Sequence, residues 1–560
     1  MEIMIWSYWN TRQLQTAIDD IDDELYHNLV EMLPPLRGDS FDPTEIDNRN
    51  NLVKILQSFA PSDYFSKREN LKNCLDNLPP AILKKFVRGL NPLGFQISKG
   101  SHLEMTEEIS SIRWSNRVFS DFFLEFFKLP SHFRPPDKRK TPSFVDINPI
   151  SDTNPPLIAK PFKNLIDYQT QVYIDSMEKL EVPRSRFIIQ MPTGSGKTRT
   201  SMEVISSFLK NADEGAIVFW LAHSSELCEQ AFQCFIEVWQ YMSNKPLKAV
   251  RCWGSHPEPV LYDKSMFIVG GFQKIHSILR KDESAFEQIS NRVGLIVIDE
   301  AHKAVAPTYK HVIMKLKSNN TNVIGLTATP GRVEIEETVE MSEFFFESKV
   351  NIRTQTGTSE IDMLKSRKVL ARIDYIPIIS PLELELTGSQ KRSLENTFDF
   401  PKGFLNTVAS SNIRNIEIMR KLLLSCSEGR KILFFSCSVK HSKFIMSLLI
   451  YFGIKAAHVD GSTSKERREQ VIEEFKHGEV QVLCNYGVLT TGFDAPNTDE
   501  VFISRPTNSV VLYSQMIGRG LRGTTIGGTE KCRICDVKDN IVGFGDQVRV
   551  YHWFEDFWDN

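Results

Sequence analysis

At 560 residues the chain is too long for one ordinary core, and about 100–200 residues per domain gives three or four domains. With 41% hydrophobic and 24% charged residues, disordered, collagen-like and coiled-coil chains are excluded, and no apolar stretch reaches the roughly 18–20 residues that crossing a bilayer requires. A net charge of −3 excludes a histone-like cationic coat, but not a protein whose basic residues line one groove.

The opening residues MEIMIWSYWN have neither a basic start nor a small-residue cleavage site, so they do not read as a signal peptide. The first fifty residues hold eleven acids against three basic residues, which reads as a solvated helix face. Leu14, Ile18, Ile21, Leu25 and Leu29 recur at helical spacing, as do Ile82, Leu83, Phe86, Val87 and Leu90. Phe119, Phe122, Phe123, Phe126 and Phe127 make a further apolar face, read as core rather than as a partner groove. Residues 1–130 are therefore expected to form a helical accessory domain. Eight of the 27 prolines fall between Pro130 and Pro161. That density prevents a continuous helix and favours extended chain, so 131–161 reads as a Pro-rich linker.

Beyond the linker, short apolar runs alternate with helical patterns. RFIIQ (186–190), AIVFWLA (216–222), MFIVG (266–270), GLIVID (294–299) and NVIGLT (322–327) read as buried strands. A second series follows in KILFFS (431–436), KAAHVDG (455–461), VQVLCN (480–485), EVFISR (500–505) and CRICDV (532–537). Strands separated by helix-length segments are the mark of βαβ units and parallel sheets. The fold class is thus α/β, with one lobe over 162–345, an inter-lobe connection over 346–375, a second lobe over 376–550 and a tail over 551–560. The helix KERREQVIEEF is expected to open on a Thr463–Glu466 capping box. Nine scattered cysteines, an odd number, suggest reduced thiols and a cytoplasmic setting. Cys532 and Cys535 form a CxxC that lacks the second ligand pair of a zinc site, so they read as occupants of a buried strand.

The strongest local signal is FIIQMPTGSGKTRT, a strand entering a glycine-rich turn and then a helix. Thr193, Gly194, Ser195 and Gly196 would let backbone N–H groups and the helix N-terminus face phosphates. Lys197 would reach the β/γ-phosphates and the Thr198 hydroxyl would ligate Mg²⁺. Met191 stands where the eight-residue phosphate-loop pattern has its first glycine. In VIDEAH (297–302) a buried strand ends in two carboxylates, an arrangement that calls for a cation or a catalytic task. Asp299 would hold the metal shell and Glu300 would orient and deprotonate an attacking water.

Together these segments resemble the superfamily 2 helicases and translocases, in which MPTGSGKT is a usual form of the phosphate loop and DEAH (299–302) is the second motif. LTATP (326–330) looks like the third, which implies that Thr327 and Thr329 couple hydrolysis to movement. DYQ (167–169) resembles the glutamine motif, with Gln169 toward adenine. AHSSELCEQ (222–230) and GGFQK (270–274) resemble the segments that contact nucleic-acid backbone. In the second lobe FFSCSVKHS (434–442), LTTGFDAP (489–496) and QMIGRGLR (515–522) look like the fourth, fifth and sixth motifs. Arg519 and Arg522, three apart, are expected on one helix face opposite the γ-phosphate, as arginine fingers. Gly492 would permit a turn, Asp494 would reach the ribose or a finger arginine, and His302 would link the nucleotide site to the sixth motif through Gln515. GFDAP, RPT (505–507) and QMIGRGLR resemble the restriction-enzyme-motor and RadD-like branch.

The resemblance implies two tandem RecA-like lobes that use ATP and Mg²⁺ to move along DNA, with RNA left open, in repair, restriction or anti-phage defence. It also leaves a rival reading, an ATP-gated assembly switch that recruits a protein partner through residues 1–130. No nuclease constellation stands out and no membrane contact is expected.

Overall fold

A computed structural model describes residues 4–20, 23–38, 48–135, 141–151, 154–301, 304–328, 335–354, 358–397, 399–489, 498–507 and 509–542. His302, Thr329, Gly492, Asp494 and the 551–560 tail lie outside the described residues.

The first sheet holds β1 (Phe144–Ile147), β2 (Arg186–Gln190), β3 (Ile217–Ala222), β4 (Leu247–Cys252), β5 (Met266–Gly271), β6 (Val293–Asp299), β7 (Asn322–Thr327) and β8 (Lys349–Asn351). Their order is β1-β4-β5-β3-β6-β7-β2-β8, parallel throughout except for β1. The second sheet holds β9 (Arg372–Glu385), β10 (Ile432–Phe435), β11 (Ala456–Val459), β12 (Val482–Asn485), β13 (Glu500–Ile503) and β14 (Lys531–Val542). It is entirely parallel, in the order β11-β12-β10-β13-β14-β9. Strands such as β3, buried at all six positions, read as unbroken apolar runs because helices cover both faces.

Three expectations change. The 131–161 segment is not linker throughout: Phe144–Ile147, framed by Pro142 and Pro149, adds an antiparallel edge strand to β4, where proline is tolerated beside a strand end. The 346–375 connection is shorter than expected, since β8 still belongs to the first sheet and β9 already belongs to the second. The helix Lys465–Lys476 is capped by Ser464, whose side chain accepts from Arg467 N–H. Thr463 is one residue too early, and its hydroxyl instead accepts from Asp460 N–H at 2.9 Å.

The helices of residues 5–133 do not stand apart. Trp6, Leu56, Phe59, Phe86 and Phe123 share one apolar cluster with Ile418, Leu422, Phe444 and Leu448 of the second lobe. Arg134 pairs with the buried Glu474 at 2.8 Å, and Arg467 donates to the Ser131 carbonyl at 2.8 Å. The N-terminal region is thus packed on the second lobe, although the first lobe intervenes in the sequence. Phe119, Phe123 and Phe127 are fully buried within it.

Two buried histidines set an acid limit on this body. His132 bonds the Ala60 carbonyl at 3.2 Å; His441 accepts from Cys437 N–H through Nδ1 and donates through Nε2 to Asn415. Burial pushes both imidazoles down to about 3. An unfolded chain protonates them below about 6.5, so unfolding takes up protons and stability falls as pH drops from there toward 3. Two such groups give a slope of up to about 3 kcal/mol per pH unit. Thermal melting is expected to fall as pH drops below 6, partly offset by Asp536, whose carboxyl burial raises to about 6, and to fall less in His441→Gln.

Candidate nucleotide cleft

The phosphate loop leaves β2 at Gln190 and enters the helix Lys197–Asn211 through Gly194 and Gly196, at φ 85° and 88°. Those left-handed angles are what glycine permits and other residues resist. As at any helix start, the first-turn N–H groups have no carbonyl one turn earlier, so they suit an anion. Met191 is fully buried and its N–H donates to the Thr327 carbonyl at 3.1 Å. Its side chain therefore belongs to the core, which explains why glycine is not required there. Lys197 and Thr198 open the helix, both half-buried.

Beneath the loop, one carbonyl gathers two donors. Tyr168 Oη donates to Ser195 O at 2.7 Å and Gln169 Nε2 donates to it at 3.0 Å, while Gln169 Oε1 accepts from Ile166 N–H. Gln169 is buried and braces the loop; Tyr168, which carried no role in the sequence reading, does the same.

The β2–β7–β6 order sets Gln190 beside Thr327, and Leu326 beside Asp299. The carboxylates thus end on the same sheet edge as the phosphate loop. Asp299 is 5% exposed and accepts from Glu300 N–H at 3.0 Å. Glu300 itself adopts φ 53°, a left-handed conformation that costs a non-glycine residue about 1–3 kcal/mol and recurs at functional sites.

The second lobe closes against this edge. The helix Val510–Ile517 ends before the arginines, which corrects the expectation that both lie on its face. Gly518 caps it, Arg519 follows in a turn, and Arg522 forms an isolated antiparallel bridge with Leu370. The cause is packing on glycine. A Cβ on Gly518 would meet Thr193 Cγ2 at 2.2 Å, and one on Gly520 would meet Cys532 Sγ at 2.3 Å. The chain therefore passes too close to the phosphate loop and to β14 for a helix with side chains to continue. Arg519 Nε donates to the Gln515 carbonyl at 3.3 Å. Burial pushes its guanidinium down to about 10, partly offset by the charges of Glu300 and Asp299 across the cleft. Arg522 is likewise lowered to about 10 by burial. Both remain charged at neutral pH at some cost, which an entering anion would relieve.

Further along the same edge, His223, Ser225, Trp253, Gly271, Gln273 and Lys274 line a cavity of about 260 Å³ at the ends of β3, β4 and β5. It joins AHSSELCEQ to GGFQK. Cys532 and Cys535 point to opposite apolar clusters from β14, and burial pushes both thiols up.

Residues 162–332 match the type III restriction enzyme, res subunit family, and residues 414–524 match the helicase conserved C-terminal domain, together about half of the chain. A 51.5 kDa protein of a Lactococcus phage is 27% identical over 342 residues, covering 60% of this chain and 62% of its own. A Saccharomyces cerevisiae protein named as an ATP-dependent helicase, IRC3, is 27% identical over 373 residues, covering 64% and 49%. A Schizosaccharomyces pombe protein named as a mitochondrial ATP-dependent helicase, irc3, is 27% identical over 389 residues, covering 67% and 57%. The matched part of the chain spans between half and about three fifths of these relatives' lengths. With the two domain families in this order along one chain, and their motif segments on facing walls of one cleft, the protein belongs to superfamily 2 of the helicases, alongside the restriction-enzyme res subunits and IRC3-type helicases.

Proposed function

We propose that the chain is a nucleic-acid-dependent ATPase that moves along DNA by opening and closing its two lobes. The observation that carries this reading is the approach of Arg519 to Glu300 and Asp299 from the opposite lobe, beside a phosphate loop on which Gly518 already packs. The residues suit Mg²⁺-ATP. Gly194 and Gly196 supply the left-handed turns of the phosphate loop, with Gly196 too close to Gln169 for a side chain, and Asp299 with the Thr198 hydroxyl offers the oxygen donors that Mg²⁺ takes alongside phosphate and water. When bound, the nucleotide supplies the phosphoanhydride bond whose cleavage drives the cycle.

In this reading Lys197 binds the β/γ-phosphates, Glu300 orients and deprotonates the attacking water, and Arg519 and Arg522 offset charge that develops in the transition state. Thr193, Ser195 and the glycines shape the loop, and Gln169 holds it from below. Thr327, whose carbonyl anchors Met191, keeps the role of coupling hydrolysis to movement that the family resemblance implies. His302, Thr329, Gly492, Asp494 and Gln515 keep the coupling and ribose roles that the family resemblance implies. The cavity by Trp253 and Lys274, lined by the two segments that resemble backbone-contacting motifs, would take the backbone of a strand. The restriction-enzyme match of the first lobe favours DNA over RNA, and a place in repair, restriction or defence against foreign DNA.

ATP hydrolysis measured with single-stranded DNA, duplex DNA and RNA side by side tests this. Stimulation of at least tenfold by DNA is expected, fading steeply with salt because phosphate contacts dominate. Absence of hydrolysis, or stimulation by RNA alone, contradicts it.

A further inference from the structure

The stretch between the lobes is bound into the cleft. After the helix Glu360–Ser366, Lys368 turns left-handed at φ 55° and the chain runs along the segment that follows the arginines. Ala371 N–H donates to Leu521 O at 2.8 Å, Gly523 N–H to Val369 O at 2.8 Å and Thr525 N–H to Lys368 O at 3.1 Å. Thr525 Oγ1 donates to the Arg367 carbonyl at 2.9 Å. Gly523 allows no side chain, since a Cβ would lie 2.1 Å from Lys368 O. The two stretches form one strip with Arg522 inside it, and Leu370 and Leu521 of that strip lie over Gly194.

One end of the strip is held by the first lobe. A guanidinium nitrogen of Arg367 contacts both carboxylate oxygens of Asp167 at 2.5 Å. Asp167 begins the helix Asp167–Leu180, whose next two residues, Tyr168 and Gln169, hold the phosphate loop through Ser195. A continuous set of contacts therefore runs from beneath the nucleotide loop, through Asp167 and Arg367, to the backbone that carries Arg522.

We infer that Arg367 is a positioning residue: its grip on Asp167 fixes the inter-lobe strip so that Arg522 stands at the phosphate site. This rests on the ATPase reading above and adds to it a residue outside every motif of the family. Arg367 touches neither phosphate nor water and acts only through the strip.

The test compares Arg367→Ala, Arg367→Lys, Arg522→Ala and the Arg367→Ala/Arg522→Ala double variant by steady-state ATPase, and by amide hydrogen exchange of the 519–526 segment with and without a non-hydrolysable ATP analogue. Because the pair is half-exposed, the effect is moderate. Arg367→Ala should lower kcat about fivefold with KM for ATP within about twofold, and Arg367→Lys should recover most of it. In the Arg522→Ala background the same change should cost nothing further. The segment should exchange at least threefold faster in Arg367→Ala, with bound analogue no longer slowing it. Unchanged kcat and exchange, or a loss that adds fully to that of Arg522→Ala, overturns the inference. If the wild type turns over no ATP, the function reading fails, and the exchange comparison still decides the role of Arg367.

Discussion

With Arg519 replaced by alanine, ATP turnover falls by about a thousandfold or more, the scale at which an arginine finger acts in phosphoryl transfer, while ATP affinity weakens far less. The guanidinium is half-buried, backed by the Gln515 carbonyl and facing Glu300 and Asp299 across the cleft. Its proton affinity, lowered to about 10, still leaves it cationic at pH 7. Charge held there before substrate arrives is preorganised, so little reorganisation remains at the moment of bond breaking. Arg519→Lys should recover only part of the rate, because an ammonium offers one point charge where a planar fork is held. Steady-state ATPase and fluorescent-nucleotide binding check this, and thermal melting of the nucleotide-free variant checks that the fold is retained.

Glu300→Gln should lower turnover by about a hundredfold or more, in line with loss of general-base catalysis, with ATP binding retained. The replacement keeps side-chain shape, and the φ 53° backbone is as available to glutamine as to glutamate, so the fold should persist. What is lost is the group that takes the proton from water. This variant also separates the two readings left by the sequence. A motor stalls with ATP bound, whereas an assembly switch that needs only occupancy keeps working. Single-turnover hydrolysis and nucleotide binding on one preparation check the lost turnover, and DNA translocation by the same variant separates the two readings.

The sequence made the sheets legible where burial on both faces leaves an unbroken apolar run: RFIIQ and NVIGLT correspond residue for residue to β2 and β7. β4 was hidden because Lys248 and Arg251 interrupt its apolar pattern. Each is neutralised by a partner that the sequence cannot place beside it, Asp146 at 2.9 Å and Glu229 at 2.8 Å. β9 carries Pro377 and Pro381, residues that disfavour a strand interior. As the edge strand of its sheet it can lack those donors.

The phosphate loop and carboxylates were legible because their spacing is local. The arginines are legible as a motif but their local structure is not, since nothing in QMIGRGLR reveals that Gly518 must pass within reach of Thr193. The seating of the N-terminal helices on the second lobe depends on long-range packing. Its one sequence trace is the helix Val439–Tyr451, which buries residues well beyond a single face: Phe444, Ile445, Met446, Leu448 and Leu449.

The most direct test of the clasp between lobes is an experimental structure with Mg²⁺ and a non-hydrolysable ATP analogue. The account predicts Lys197 and Arg519 on opposite sides of the γ-phosphate, each within hydrogen-bond distance, and Glu300 beside a water in line with it. A bound analogue with the Arg519 guanidinium turned to solvent, and no second-lobe group at the γ-phosphate, would contradict it.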